Sequence, residues 1–197
     1  MEQQKNPTGK NLKVLTVPNL LSFLRICLIP LIIWFYCVKK QYVGAGITLI
    51  LSGLTDIVDG YIARRFHMIS DLGKVLDPIA DKLTQAAMLV CLITRFPLML
   101  IPFVLLIAKE TYMTVSGMIV IQKTGIVMGA EWHGKVATAL LYATMVLHVF
   151  WFDLPSAVSF TSILLCALSI ALSFFLYGVR NTRAINRANR KNRQTKG

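Results

Sequence analysis

Long apolar stretches alternate with short polar segments along this chain. A bilayer-spanning helix needs about 20 mostly apolar residues, and stretches of that kind occur repeatedly here. They cover residues 18–38, 43–66, 71–94, 97–122, 134–152 and 156–179. The pattern therefore predicts an all-α, polytopic integral membrane bundle of six transmembrane helices, preceded by a short basic segment.

The polar residues that flank these stretches define the expected domain organisation. We expect a basic juxtamembrane segment over residues 1–17, one membrane domain over 18–179 and a basic tail over 180–197. The first apolar stretch is too long for the core of a signal peptide, and no small-residue cleavage site follows it. We therefore expect this stretch to be retained as the first span.

Positive charge is distributed unevenly between the two predicted sides of the membrane. The chain has 21 Lys and Arg against nine Asp and Glu, a net charge of +12, although 55% of its residues are hydrophobic. With six spans, the side that holds both termini carries 15 of the basic residues and the other side three. The positive-inside rule then places both termini in the cytoplasm, and we expect the cell (plasma) membrane. Because the basic tail directly follows a membrane helix, we expect it to bind anionic lipids and no nucleic acid.

Five of the nine acidic residues are crowded between positions 56 and 81, although membrane helices usually exclude charge. Asp56 and Asp59 are three residues apart, and Asp77 and Asp81 are four apart, so each pair lies on one face of its helix. The short linker predicts that the two helices are antiparallel, which brings the four carboxylates together at one membrane face. Carboxylates so placed repel one another unless cations neutralise them, and hard oxygen ligands suit one or two Mg²⁺ or Mn²⁺ ions.

The residues around these carboxylates are small or cationic. Gly60 and Gly73 have no side chain and so permit close approach of a ligand, and Ala63 extends this low surface by one turn. Arg64 carries a forked donor that suits a phosphate. The alternatives are an ion pathway and an Asp/Arg network that only stabilises the bundle. Four spaced carboxylates beside two glycines and an arginine favour a site for metal and phosphate.

Written out, the pattern is Asp56-x2-Asp59-Gly60-x2-Ala63-Arg64-x8-Gly73-x3-Asp77-x3-Asp81. It resembles the full signature of the CDP-alcohol phosphatidyltransferases, with every fixed position present. A second segment is similar to the Pro-Asn…Arg segment near the N-terminus of that family: Val17-Pro18-Asn19-Leu20-Leu21-Ser22-x2-Arg25. With six spans, the resemblance extends over most of the chain.

The resemblance implies an enzyme that displaces CMP from a CDP-linked lipid, CDP-diacylglycerol, with an alcohol. It implies that two divalent metals, Mg²⁺ or Mn²⁺, are held by Asp56, Asp59, Asp77 and Asp81. Asp81 would also be the catalytic base that deprotonates the attacking hydroxyl. Contacts to the CDP-lipid are implied for Asn19, Arg25, Thr55, Asp59, Gly60, Ala63, Arg64 and Gly73. The resemblance also implies a homodimer.

The alcohol acceptor stays open at this point. The chain is most like the phosphatidylglycerophosphate synthases, which use glycerol 3-phosphate, and Lys135 matches a basic position often used for that phosphate, with Lys109 as a second candidate. However, Lys109 stands where those enzymes usually have Arg, and Gly117-Met118 stand where a further Arg is expected. An ammonium lacks the bidentate fork of a guanidinium. The overall resemblance favours glycerol 3-phosphate. These departures leave open phosphatidylglycerol, the acceptor of CDP-type cardiolipin synthases, or another alcohol acceptor.

Two further classes of protein compete with the enzyme hypothesis. A carboxylate-lined ion transporter needs acids distributed across the depth of the membrane, whereas these acids gather at one end of two helices. A lipid-binding scaffold with a degenerate site predicts a broken signature, whereas this one is intact. Both classes are disfavoured on these grounds.

Overall fold

The structure is a computed structural model, and it describes residues 17–65, 73–125, 129 and 131–194. Over these residues the chain is almost entirely helical and has no β-strand. The prediction of an all-α fold is confirmed. The chain divides into two compact units, Met1–Met88 and Leu89–Gly197, which are described separately below.

The first unit is built from α1 and α2, together with most of α3. Helix α1 is Val17–Ile33 and continues as a π-helical turn, Trp34–Val38. Helix α2 is Tyr42–Arg65, and α3 is Gly73–Ile93. The chain reverses between α1 and α2 at Lys40, which has a left-handed backbone (φ 52°). The two helices pack along each other, and the face that α2 buries is a stripe of small and apolar residues, Ala45, Thr48, Leu49 and Ser52.

The second unit contains the end of α3 and three further helices. A 3₁₀ turn, Pro97–Met99, leads into α4, Leu100–Thr124, and is followed by α5, Trp132–Phe150, and α6, Ser156–Gln194. Helix α6 packs against both α4 and α5. The core that they share is apolar and includes Leu106, Leu141, Met145, Ile163 and Ile170.

Three helical segments within the described residues are long and apolar enough to cross a membrane: Asn19–Val38, Pro97–Thr124 and Ser156–Asn189. A shorter apolar helix, Tyr42–Thr55, ends where the acidic half of α2 begins. The protein is therefore a membrane protein. The number of six spans stays a prediction, because α2 and α3 each combine an apolar half with a charged one.

Helix α6 is longer than predicted. The loss of hydropathy predicts an end at residue 179, but the helix continues to Gln194. Polar contacts hold this extension on α4: Asn181 Nδ2 donates to Ser116 Oγ at 2.7 Å, and Lys123 Nζ donates to Asn189 Oδ1 at 2.9 Å. The basic segment contains Arg, Ala, Lys and Gln, which are good helix formers, and no proline. The start of the predicted basic tail is thus a continuation of α6.

Candidate functional site

Asp77 and Asp81 lie one turn apart on α3, and each carboxylate accepts a hydrogen bond from a neutral side chain. Ser22 Oγ, on α1, donates to Asp77 Oδ1. Gln85 Nε2 donates to Asp81 Oδ2 at 2.8 Å. Both aspartates are partly exposed, whereas Ser22 and Gln85 are fully buried. A neutral donor orients a carboxylate without neutralising it, which is the support that metal-binding carboxylates commonly receive.

Helix α1 presents a row of buried polar residues in this unit. Asn19, Ser22 and Arg25 are spaced by three residues, and all are at most 5% exposed. Arg25 Nη1 approaches the backbone carbonyl oxygen of Asp77 at 3.5 Å. The structure thus brings two predicted CDP-lipid residues, Asn19 and Arg25, onto the face of α1 that also holds the donor to Asp77. Their contact with the nucleotide stays a prediction.

A lysine also lies near Asp81, but at a distance that contributes little. Lys82 Nζ is 3.8 Å from Asp81 Oδ2, and about a third of the Lys82 side chain is exposed. Ion pairs of this kind are screened by solvent and are worth little. This ion pair is therefore compatible with Asp81 as a metal ligand.

Gln85 is a residue that the sequence pattern did not single out. Its Oε1 atom is buried and has no hydrogen-bond partner within the part of the chain that the structure describes. A buried amide oxygen without a hydrogen bond destabilises the folded state. Gln85 is therefore expected to lower the free energy of unfolding. The one feature of the sequence that could have indicated Gln85 is its position, four residues after Asp81 and therefore on the same face of α3. Ser22 had no such local signal, because it lies 55 residues from Asp77.

The other half of the predicted metal site lies at the end of α2. The helical backbone of α2 carries Asp56 and Asp59 less than one turn apart, at its acidic end. Their side chains, those of Ala63 and Arg64, and the surroundings of Gly60 and Gly73 lie outside the described residues. The described residues alone contain no group of three potential metal ligands. Convergence of the four aspartates therefore stays a prediction.

Among the predicted CDP-lipid residues of α2, Thr55 is the one whose side chain the structure describes. Its Oγ1 donates to the backbone carbonyl oxygen of Ser52 at 2.7 Å. The hydroxyl proton is therefore used within the helix, and the oxygen can still accept a hydrogen bond. Contact of Thr55 with the CDP group stays a prediction as well.

The two lysines predicted to bind the acceptor phosphate lie in the second unit and differ in their surroundings. Lys109 is 4% exposed, and its ammonium pairs with Glu110 Oε1 at 2.9 Å. Lys135 is exposed in the first turn of α5. The charge of Lys109 is therefore balanced locally, whereas Lys135 is available to a ligand.

The start of α5, which carries Lys135, is fixed against α6. Tyr177 Oη accepts a hydrogen bond of 2.8 Å from the backbone N–H of Glu131, and His133 Nδ1 lies 3.1 Å from Ser173 Oγ. Gly134 permits this contact, since a Cβ at that position would lie 2.5 Å from Tyr177 Oη. The backbone that carries Lys135 is thus held by specific contacts.

Comparison with known proteins identifies the family. A family model described as CDP-alcohol phosphatidyltransferase matches residues 15–175. The chain belongs to this family. The resemblance deduced from the aspartate signature is therefore confirmed, and CDP-alcohol phosphatidyltransferases are in general dependent on divalent metals.

Curated relatives of this chain carry two different names. A CDP-diacylglycerol–glycerol-3-phosphate 3-phosphatidyltransferase of Rickettsia bellii is 37% identical over 97 residues, 48% of this chain and 53% of the relative. A cardiolipin synthase (CMP-forming) of Streptomyces coelicolor is 39% identical over 109 residues, 52% of this chain and 50% of the relative. The chain thus spans about half the length of these relatives. A Bacillus subtilis protein with the same name as the Rickettsia protein is 29% identical over 157 residues, 71% of this chain and 81% of the relative.

Proposed function

We propose that this chain transfers a phosphatidyl group from CDP-diacylglycerol to glycerol 3-phosphate, releasing CMP and forming phosphatidylglycerol phosphate. The observation that carries the proposal is the pair Asp77 and Asp81, held on one face of α3 by the neutral donors Ser22 and Gln85. The name of the Rickettsia bellii and Bacillus subtilis relatives supports the choice of substrates.

The side chains of the aspartate signature suit a hard divalent metal. Two described carboxylates are oriented by neutral hydrogen-bond donors, and carboxylate oxygens are the ligands that Mg²⁺ and Mn²⁺ prefer. Asp56, Asp59, Asp77 and Asp81 would hold two such ions per site. When bound, the ions supply positive charge that stabilises the phosphoryl oxygens and the departing CMP.

Asp81 acts as the general base in the proposed reaction. Its carboxylate takes the proton of the acceptor hydroxyl while that oxygen forms a bond to the phosphorus that carries the diacylglycerol. The bond between this phosphorus and the bridging oxygen of the diphosphate breaks, and its electron pair leaves with CMP. Gln85 acts as a positioning residue, because its 2.8 Å hydrogen bond holds the Asp81 carboxylate in one orientation.

The CDP-lipid and the acceptor are bound by different groups of residues. Residues from α1, α2 and the start of α3 are proposed to contact the CDP-lipid: Asn19, Arg25, Thr55, Asp59, Gly60, Ala63, Arg64 and Gly73. Lys135 and, more weakly, Lys109 are proposed to bind the acceptor phosphate. Lys135 is the stronger candidate because the charge of Lys109 is already paired with Glu110.

The proposed setting is the plasma membrane. The excess of basic residues on one predicted side supports a multi-pass protein whose site and termini face the cytoplasm. We also propose a homodimer, as the family resemblance implies, and anionic lipids as partners of the basic segments.

A second candidate acceptor is phosphatidylglycerol, which would make the product cardiolipin. Two observations favour this alternative: the name of the Streptomyces coelicolor relative, and the absence of arginine at Lys109 and at Gly117-Met118. The reaction at phosphorus and the role of Asp81 are the same for both acceptors.

An acceptor screen tests the proposal. The purified chain is incubated with CDP-diacylglycerol, Mg²⁺ or Mn²⁺, and one acceptor at a time: glycerol 3-phosphate, phosphatidylglycerol, inositol phosphate or serine. We expect release of CMP with glycerol 3-phosphate. Release with phosphatidylglycerol alone would replace the leading acceptor by the second. The absence of CMP with every acceptor would contradict the enzyme hypothesis itself.

A further inference from the structure

Two neighbouring cavities lie along α6 in the second unit, and they differ in polarity. The first has a volume of about 570 Å³ and is lined by Tyr112 of α4 and by mainly apolar residues of α6. The second has a volume of about 510 Å³ and lies between the start of α5 and α6. Val179 and Arg183 line both cavities. The two cavities therefore adjoin at these residues.

The second cavity carries positive charge that the described acids do not balance. The acid on its wall, Glu131, is paired with Arg180 Nη1 at 2.9 Å. Arg183 and Arg187 also line the cavity, are exposed, and form no ion pair or hydrogen bond with the described residues. They lie one turn apart on α6, so their guanidinium groups can bind one phosphate between them.

The first cavity suits a hydrocarbon chain. Its walls include Phe174 and Phe175, and the ring of Tyr112 packs edge-on against Phe174 with a centroid distance of 5.4 Å. Gly178 leaves the middle of the groove open, since a Cβ there would meet only Tyr112 Oη, at 3.9 Å. The lining of the first cavity is therefore mostly apolar and includes one charged residue, Arg183.

We propose that the two cavities together bind one anionic glycerophospholipid. Its phosphate lies between Arg183 and Arg187, and an acyl chain lies in the groove beside Phe174 and Gly178. Trp132, 72% exposed on the wall of the second cavity, contacts the headgroup region, where tryptophan is enriched in membrane proteins. The lipid site shares no residue with the proposed catalytic site. It deepens one part of the proposed function, that the basic segments bind anionic lipids, and is independent of the proposed reaction.

A lipid-binding measurement on the full chain in a neutral detergent tests this site. The probe is dioleoyl phosphatidic acid, with dioleoyl phosphatidylcholine and inorganic phosphate as comparisons. We expect phosphatidic acid to raise the midpoint of thermal unfolding and to be retained by the protein in native mass spectrometry, and neither comparison to do so. If inorganic phosphate raises the midpoint as much as phosphatidic acid, the site binds a free anion and the lipid proposal is wrong.

Charge variants separate a specific site from general attraction to a basic tail. We expect the double variant Arg183→Gln/Arg187→Gln to raise the apparent Kd for phosphatidic acid by about tenfold or more. The control double variant Arg190→Gln/Arg193→Gln removes the same amount of charge from the end of the same helix. We expect it to raise the apparent Kd by less than about threefold. Equal losses in the two double variants would overturn the proposal in favour of diffuse electrostatic attraction.

A groove variant tests the acyl chain without removing a charge. Gly178→Leu fills the first cavity. We expect it to raise the Kd for phosphatidic acid by about tenfold, because several CH₂ groups of the acyl chain lose their buried contacts. Gly178→Ala is the matched control and should bind nearly as tightly as the unchanged chain. Binding by Gly178→Leu at full strength would overturn the assignment of the acyl chain to this groove.

Discussion

Gln85 Nε2 donates a hydrogen bond of 2.8 Å to Asp81 Oδ2, one turn earlier on α3. The amide is fully buried, whereas the carboxylate is partly exposed. A buried neutral group thus orients the group that we propose as the base. The same relationship recurs at Asp77, whose donor Ser22 comes from α1.

The first prediction concerns Gln85. Gln85→Leu removes the donor to Asp81, and we expect kcat to fall about 10- to 100-fold, as is common when a supporting hydrogen bond beside a metal ligand is lost. KM for CDP-diacylglycerol should change little. The matched control is Thr84→Val, because the buried Thr84 hydroxyl donates to the carbonyl oxygen of Ala80. Equal losses of kcat in both variants would show that α3 had been disturbed as a whole.

The second prediction concerns Asp81 itself. Asp81→Asn keeps the size of the side chain but removes its charge and its basicity, and we expect CMP release to fall at least about 10³-fold. Asp153→Asn, at an exposed acid between α5 and α6, is the control and should keep full activity. Thermal unfolding should be similar in both variants. Retained turnover in Asp81→Asn would remove this residue as the base.

The third prediction concerns Gly134. A Cβ at this position would lie 2.5 Å from Tyr177 Oη, and that buried hydroxyl is held by the N–H of Glu131. We expect Gly134→Ala to destabilise the protein by about 1–3 kcal/mol, as overpacking usually does. We also expect a higher KM for the acceptor, because the turn that carries Lys135 must move.

Gly117→Ala is the matched control for this substitution. Gly117 also lies within a helix of the second unit, and a Cβ there would meet nothing within 4 Å. The substitution should be neutral or slightly stabilising, since alanine is the better helix former. An unchanged unfolding midpoint in Gly134→Ala would contradict the close packing of α5 on Tyr177.

The fourth prediction concerns a buried histidine that the proposed reaction does not use. His148 Nδ1 lies 2.8 Å from the carbonyl oxygen of Thr144, so this nitrogen carries the proton, and Nε2 accepts from Ser159 Oγ at 3.0 Å. The Phe96 ring packs edge-on against the imidazole at 4.7 Å. These contacts join α5, α6 and the turn before α4.

We expect His148→Ala to lower the unfolding free energy by about 2–4 kcal/mol, through the lost packing and the unpaired Ser159 hydroxyl. The measurement is thermal or denaturant unfolding in detergent, together with CMP release at a temperature where the variant stays folded. KM for both substrates should be unchanged. A specific loss of kcat in the folded variant would contradict a purely structural role for His148.

The helices were largely predictable from the sequence, because each begins or ends where an apolar stretch meets polar residues. Helix α4 shows the limit of this approach. It ends at Thr124, two residues after the predicted end, because Gly125 adopts a left-handed backbone (φ 68°) and its N–H bonds to the carbonyl oxygen of Ile121. Hydropathy alone does not record such a cap.

The end of α6 was not predictable from hydropathy. The apolar stretch ends at residue 179, but contacts of Asn181 with Ser116 and of Asn189 with Lys123 hold a polar helix on α4. Those partners are 65 and 66 residues away in the chain, so no local pattern indicates them. Tertiary contacts therefore extended this helix beyond its apolar part.

The candidate site was predictable in its residue types but not in its supporting contacts. Spacing alone places Asp77 and Asp81 on one helix face, because a helix has 3.6 residues per turn. The sequence did not indicate that Ser22 would reach Asp77, since that contact depends on how α1 packs in the first unit.

Helix α6 has 39 residues, which makes it about 58 Å long at 1.5 Å per residue. The hydrocarbon layer of a membrane is only about 30 Å thick. A helix of this length that crosses the layer leaves nearly half of its residues in the headgroups and the water. Because the helix is unbroken, this outer half and the membrane-embedded half share one axis. If the lipid surface tilts the basic end of α6, the whole helix therefore tilts with it.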